Sequence, residues 1–183
     1  MARDKRIMLD LETLDSGSHA AIVSIGAVYF DVDDGIGETF YCPVDGAKAA
    51  AKYKRTVSDA TLEWWSKQSD EAKKVLTDPN ALDLKDALHA FKVFAGDTGT
   101  FMLNPEMWGN GSDFDCVVLG NSYEAVGIKK PWSYSNNRCF RTLKNIIKLD
   151  KGEGVMRGGT HHNALDDAIY QAEMAIAFLR KIK

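Results

Sequence analysis

Met8-Leu9-Asp10-Leu11-Glu12-Thr13 is the stretch whose reading decides the fold. A short apolar run, Ile7 to Leu9, leads into two carboxylates separated by one leucine. On an extended strand, residues two apart point to the same face, so Asp10 and Glu12 project together from the strand's C-terminal end. Two adjacent carboxylates repel, and burying them as a pair is costly. A divalent cation removes that cost, and hard oxygen ligands suit Mg²⁺ or Mn²⁺. Taken alone, an Asp-x-Glu pair reads more readily as a solvated strand-to-loop edge. The balance is changed by residues more than a hundred positions downstream.

Around this stretch the N-terminal third reads as three strands. The first is Ile7 to Leu11. Ile22 to Phe30, β-branched and apolar, is the second, and Glu38 to Pro43 the third; Asp33-Asp34-Gly35 supplies a tight turn between those two. Helices follow. Ser58 is an N-cap candidate for the segment holding Trp64 and Trp65, and Ser69 or Asp70 caps a short helix that Pro79 ends. Leu84, Leu88 and Phe91 give helical periodicity across Asp83 to Ala95. Phe101 to Trp108 is expected to hold a fourth strand at Met107-Trp108, and Pro131 to Tyr134 a fifth. A helix is expected from Asp113, another capped by Asn136 or Asn137 and running through Ile147, and a last one from Asn163 to Lys181. The apolar stripe of the last helix is Leu165, Ile169, Ala172, Ile176 and Leu179. Lys148 to Gly159, rich in glycine and charge, reads as a mobile loop. Early strands followed by alternating helices and strands indicate an α/β sheet with helices packed on it.

The 183 residues suit one domain, 1–183, with a substantial core. Hydrophobic residues make up 45% and charged residues 27%, as in globular chains. No apolar run approaches the ~20 residues that span a bilayer, so no membrane partner is expected. The charged start leads into no signal-type segment, and Cys42, Cys116 and Cys139 are scattered without a C-x-x-C pair. Both features fit a reducing cytoplasm rather than a disulfide framework or zinc ribbon. The net charge of −3 argues against binding duplex nucleic acid by bulk charge. It leaves room for a nuclease whose metal ions supply local positive charge.

Two further clusters join the first. Asp115 follows Phe114 behind the turn Gly109-Asn110-Gly111-Ser112. His162-Asn163-Ala164-Leu165-Asp166-Asp167 opens the final helix. Asp167 falls inside that helix, while His162 falls at or before its N-terminus. An imidazole titrates near neutrality and suits a general base that activates water. In isolation, His161-His162 reads as an exposed loop pair, and Asp166-Asp167 as charge favourable to the helix dipole.

The order Asp-x-Glu, then Phe-Asp behind a glycine turn, then His-x-Ala-x-x-Asp-Ala resembles the DEDDh family of 3′-to-5′ exonucleases. That family includes the proofreading subunit of bacterial DNA polymerase, RNase T and oligoribonuclease. The resemblance runs from Asp10 to Asp167. Ile22 to Val28 is similar to the family's second strand. Thr61-Leu62-Glu63-Trp64-Trp65-Ser66-Lys67-Gln68-Ser69 resembles the phage and prophage branch, of the DexA and exodeoxyribonuclease VIII-like kind, whose relatives include small bacterial exoribonucleases. One place departs from the pattern: Gly111 stands four before Asp115, where the family commonly carries Asn, and Asn110 stands five before.

The resemblance implies an RNase H-like fold, a mixed five-stranded sheet with its first three strands antiparallel, flanked by helices. It implies that Asp10, Glu12, Asp115 and Asp167 bind two Mg²⁺ or Mn²⁺ ions. His162 then takes a proton from the attacking water, and nucleoside 5′-monophosphates leave from single-stranded 3′ ends, DNA favoured and RNA admissible. Asp166 competes with Asp167 as the last ligand; the family spacing selects Asp167. Thr13 and Leu14 would contact the terminal sugar and base. Ile25 reads first as core. Of Trp64 and Trp65, about 100° apart on a helix, one is expected in the core and the other over a groove. Arg138, Arg141, Lys144 and Lys148 read equally as phosphate guides or as a solvated helix face. A homodimer is implied by analogy with RNase T. The competing readings are a non-catalytic nucleic-acid-binding module of the same fold and a phosphodiesterase acting on a small nucleotide.

Overall fold

The computed structural model describes residues 6–97, 99 and 103–183. The charged start, residues 1–5, and Phe101 and Met102 at the head of the expected fourth-strand segment lie outside them. Among the described residues, β1 (Arg6–Thr13), β2 (Ile22–Asp31), β3 (Gly35–Pro43), β4 (Glu106–Gly109) and β5 (Asn137–Cys139) form one sheet, in the order β3-β2-β1-β4-β5. β1 and β2 pair antiparallel, as do β2 and β3; β4 runs parallel to β1, and β5 to β4. This is the expected mixed sheet with its first three strands antiparallel.

β1 lies at the centre and is apolar toward both faces. Ile7, Leu9 and Leu11 join one core, with Leu84, Leu88 and Phe91 of α4 (Leu84–Phe94) and Val118, Leu119 and Tyr123 of α5 (Asp115–Ala125). Met8 joins the other core, with Phe140 of α6 (Phe140–Ile146) and Ala168, Ala172 and Ala175 of α7 (Ala164–Lys181). Alternation therefore carries Asp10 and Glu12 onto the α7 face, behind Met8. Helices cover both faces of the central strands, while β3, at the edge of the sheet, leaves most of its residues exposed.

α7 is pressed against β2. A Cβ built on Gly26 would lie 2.1 Å from the Ala164 carbonyl carbon and 2.3 Å from the Leu165 nitrogen. Helix backbone thus rests on strand backbone, and only small side chains fit beneath. The buried stripe is Ala164, Ala168, Ala172 and Ala175, joined by Gln171, Ile176 and Phe178. This corrects the expected stripe: Ala172 and Ile176 are in it, but Leu165, Ile169 and Leu179 flank it, half-buried. Periodicity of the largest residues points to the rim of so close a contact rather than its centre.

The fifth strand is also elsewhere than expected. Trp132 is a buried plug whose indole packs edge-on against Tyr123, 5.9 Å between centroids, and whose Nε1 donates to Asn137 Oδ1. The strand is Asn137–Cys139, after a 3₁₀ turn at Tyr134–Asn136. Its polar Asn-Arg-Cys carries no β-branched signal; pairing to β4 and the Arg138–Glu106 ion pair (2.8 Å) hold it. Consequently α6 begins at Phe140 with Cys139 as its cap, not at Asn136 or Asn137. The alanine-rich helix α1 (Gly46–Tyr53), capped by Asp45, was not expected at all. Four of the others follow their caps, Ser58 for α2 (Asp59–Ser66), Ser69 for α3 (Asp70–Lys73), Asp83 for α4 and Asn163 for α7; α5 has no side-chain cap and starts at Asp115, two residues after the expected Asp113. No helix among the described residues is long and apolar enough to cross a membrane.

Candidate active site

β1 and β4 are parallel neighbours, so their C-terminal ends share one edge of the sheet. β1 delivers Asp10 and Glu12 to that edge, and β4 leads through the glycine turn into α5, whose first residue is Asp115. Gly109 makes room for that carboxylate: a Cβ there would lie 3.0 Å from Asp115 Cβ and Oδ2. Asp115 then accepts from the Leu11 amide (3.3 Å), between the two β1 acids, and from the Asn110 amide (3.0 Å). Asn110 therefore acts through its backbone, and its carbonyl accepts from Arg141 (2.6 Å). The departure at Gly111 leaves this cradle intact.

The third contribution comes from α7. Gly26 pairs with Asp10 in the β1–β2 register, so the point where α7 touches the sheet lies beside the first acid. Asp167 is in the first turn, and His162 precedes the cap with φ of +62°. One ligand atom each from Glu12, His162 and Asp167 lie within 4.8 Å of one another. Asp10 and Asp115 stand outside this tightest group; Asp115 is held by backbone amides and Asp10 by Gln171 Nε2 at 2.7 Å. Gln171 is buried and its Oε1 has no partner, leaving a second polar atom beside the acids. Asp166 is occupied otherwise: its Oδ2 accepts from the Thr160 amide (2.8 Å), so it fastens the preceding loop. Asp113 and His161 are exposed.

The electrostatics follow from crowding. Burial raises the Asp10 carboxyl well above its usual range, and Asp115, Glu12 and Asp167 add to the rise, while Gln171 opposes it. Burial, then Asp167 and Asp115, push Glu12 up to about 8. Burial lifts Asp115 to about 6 against the pull of its two amide donors. Asp167 is raised by burial and pulled back by Arg157 and His162. These four groups hold more negative charge than their surroundings neutralise. Four carboxylates make an all-oxygen donor set suited to Mg²⁺ or Mn²⁺, with one imidazole beside it.

A tryptophan pair frames the site. Trp65 is buried and donates from Nε1 to the Thr13 carbonyl (2.9 Å), fixing the end of β1. Trp64 is 39% exposed and meets His162 edge-on, 4.8 Å between centroids. Trp65 is thus the core member of the pair, as expected of one of the two, and Trp64 is the member at the surface. Thr13 and Leu14 are buried, Leu14 in a cluster with Val23, Trp65 and Val75, so they form a floor rather than a rim. Ile25 is fully buried in the core. Arg138 lies on β5 in an ion pair, not on a helix face.

Gln171, Arg157 and the Trp64–His162 contact were not expected as site features. Gln171 had a readable signal: it stands four after Asp167, on the same face of the helix, as the one polar residue in an alanine stripe. Arg157, in a loop, had none beyond its charge.

Residues 5–179 match the family model described as a 3′-5′ exoribonuclease Rv2179c-like domain. An exodeoxyribonuclease of Enterobacteria phage T4 is 29% identical over 188 residues, covering 87% of this chain and 82% of the relative. Cell-death related nuclease 4 superposes with a TM-score of 0.55 at 14% identity, over 97% of this chain and 64% of that one. A full-length 3′-exonuclease superposes with a TM-score of 0.50 at 16% identity, over 97% of this chain and 82% of that one. At such identities the structural likeness speaks to the fold, which is RNase H-like.

Proposed function

The chain belongs to the Rv2179c-like 3′-5′ exoribonuclease domain family and is a 3′-5′ exonuclease of the DEDDh type; from that premise, we propose that it removes nucleoside 5′-monophosphates from the 3′ ends of single-stranded nucleic acid at the carboxylate edge. The observation that carries this reading is the convergence of four mutually repelling carboxylates, delivered by β1, α5 and α7, with the His162 imidazole beside Glu12 and Asp167.

Asp10, Glu12, Asp115 and Asp167 would hold two divalent cations, Mg²⁺ or Mn²⁺. Bound there, the ions would supply Lewis-acid polarisation of the scissile phosphodiester and acidify the attacking water. The chain's own residues do the rest. His162, held by its contact with Trp64, accepts the proton of the attacking water at a ring nitrogen. Gln171 keeps one Asp10 oxygen oriented, and the amides of Leu11 and Asn110 do the same for Asp115. Thr13 and Leu14 form the floor beneath the terminal nucleotide, and the exposed indole of Trp64 offers a stacking edge beside it. Residues 1–183 act as one exonuclease domain in the cytoplasm. A homodimer is proposed by analogy with RNase T, to be read by sedimentation.

Single-stranded DNA is the favoured substrate, because the phage relative is an exodeoxyribonuclease and aligns over most of both chains. The family's description as exoribonuclease supports the second reading, RNA. Matched DNA and RNA oligomers of one sequence, incubated with Mn²⁺ and resolved by length, separate the two. Faster shortening of DNA supports the first reading; faster shortening of RNA overturns it in favour of the second.

A further inference from the structure

The chain between α6 and α7 returns along the whole length of α7 as a strap. At the helix's C-terminal end, Lys181 pairs with Asp150 (2.8 Å) and Glu153 (2.7 Å). Two turns back, the Val155 amide meets Met174 Sδ at 3.4 Å. The Arg157 guanidinium then lies 5.1 Å over the Tyr170 ring and forms an ion pair with Asp167. Finally the Thr160 amide is held by Asp166. Tyr170 is three residues after Asp167, so ring and carboxylate present one continuous seat on the helix for a planar cation. Among the described residues, Asp167 is the one member of the four-carboxylate cluster with a side-chain ion pair from Lys or Arg.

We propose that Arg157 is a built-in stand-in cation. It occupies the Asp167 carboxylate when the site holds no metal and yields that carboxylate when a divalent ion binds, so strap closure and metal binding compete. The inference rests on the reading of Asp167 as a metal ligand. A guanidinium on Asp167 Oδ1 and a divalent ion on the same carboxylate repel one another at close range, and the Arg157 side chain is only partly exposed, so its contact opposes metal binding more than a loose surface pair would. By linkage, whatever strap closure takes from metal affinity, metal binding takes from strap closure. Arg157 is thus a residue that sets metal affinity, not one that touches the reacting atoms.

Calorimetric titration of Mn²⁺ into the metal-free protein tests this without reference to turnover. Arg157→Gln is expected to bind Mn²⁺ at least about fivefold more tightly than wild type, and Arg157→Lys, which keeps the charge, to stay near wild type. Hydrogen exchange supplies a second readout: in wild type, amides of residues 155–160 should exchange faster once Mn²⁺ is bound. Unchanged or weaker binding by Arg157→Gln, equal tightening by Arg157→Lys, or unchanged strap exchange on adding Mn²⁺ overturns the proposal. Asp167→Asn separates it from its premise. If that variant binds Mn²⁺ like wild type, the ligand assignment fails; if it loses binding while Arg157→Gln is unchanged, the assignment stands and the stand-in role falls.

Discussion

Glu12 shows at the scale of one residue what the site stores. Its carboxyl is pushed from an ordinary 4.5 up to about 8 by burial and by Asp167 and Asp115, and Asp115 from 3.8 to about 6 chiefly by burial. A group raised in the folded state binds more protons folded than unfolded. Its stabilising contribution is full below the unfolded value and disappears as pH rises through the folded one. In EDTA the protein should therefore lose stability from about pH 3.8 to about 8, first as Asp115 and then as Glu12 ionises. Mn²⁺ should flatten the profile by neutralising them. Urea midpoints at several pH values, with and without Mn²⁺, check this; an EDTA profile that rises over the same interval speaks against uncompensated charge. His162 makes a separate prediction. His162→Ala should lower single-turnover hydrolysis by about 10² to 10⁴-fold, the usual contribution of a general base, with little change in Mn²⁺ affinity if the proton-accepting role dominates. The five residues of the cluster were legible in the sequence because each sits at an element end in a fixed order. Arg157 was not, since its role arises from the path of the strap; Gln171 showed only as the lone polar residue of the alanine stripe, and its bond to Asp10 is set by α7's rotation.

At the scale of elements, the site depends on two docking points. The first is Gly26, where α7 meets β2 backbone to backbone. Gly26→Ala must displace the start of α7. It is expected to cost about 1–3 kcal/mol in denaturant unfolding and to lower turnover by more than the stability loss explains, because His162 and Asp167 move with the helix. Equal turnover per folded molecule would show that the docking point is merely structural. The second is Trp65, whose indole holds the Thr13 carbonyl from α2. Trp65→Phe keeps most of the bulk and removes that hydrogen bond, for an expected loss of about 0.5–1.5 kcal/mol. The β1–β2–β3 meander and the starts of α2, α3, α4 and α7 were readable because β-branched runs, a tight turn and caps are local signals. β5 and the stripe of α7 were not. β5 exists through pairing to β4 rather than through its own Asn-Arg-Cys, and the stripe is set by how closely the helix approaches the sheet.

Across the whole molecule, the sheet order places the C-terminal ends of β1 and β4 side by side, and ligand sites in such open sheets form beyond the carboxyl ends of parallel strands. The fold class was therefore readable from three strands and three motifs, whereas the closeness of the motifs in space required the topology. On the function proposed above, this edge cleaves a 3′-terminal phosphodiester with divalent metal held by acids from three elements. The most direct test is a time course on a 5′-labelled single-stranded oligomer with wild type and Asp115→Asn, each in Mn²⁺ and in EDTA. A ladder shortening from the 3′ end is expected for wild type in Mn²⁺ alone, and none for Asp115→Asn even though its fold, read by circular dichroism, is retained. Shortening that persists in EDTA, or a folded Asp115→Asn that keeps wild-type rates, would contradict that function.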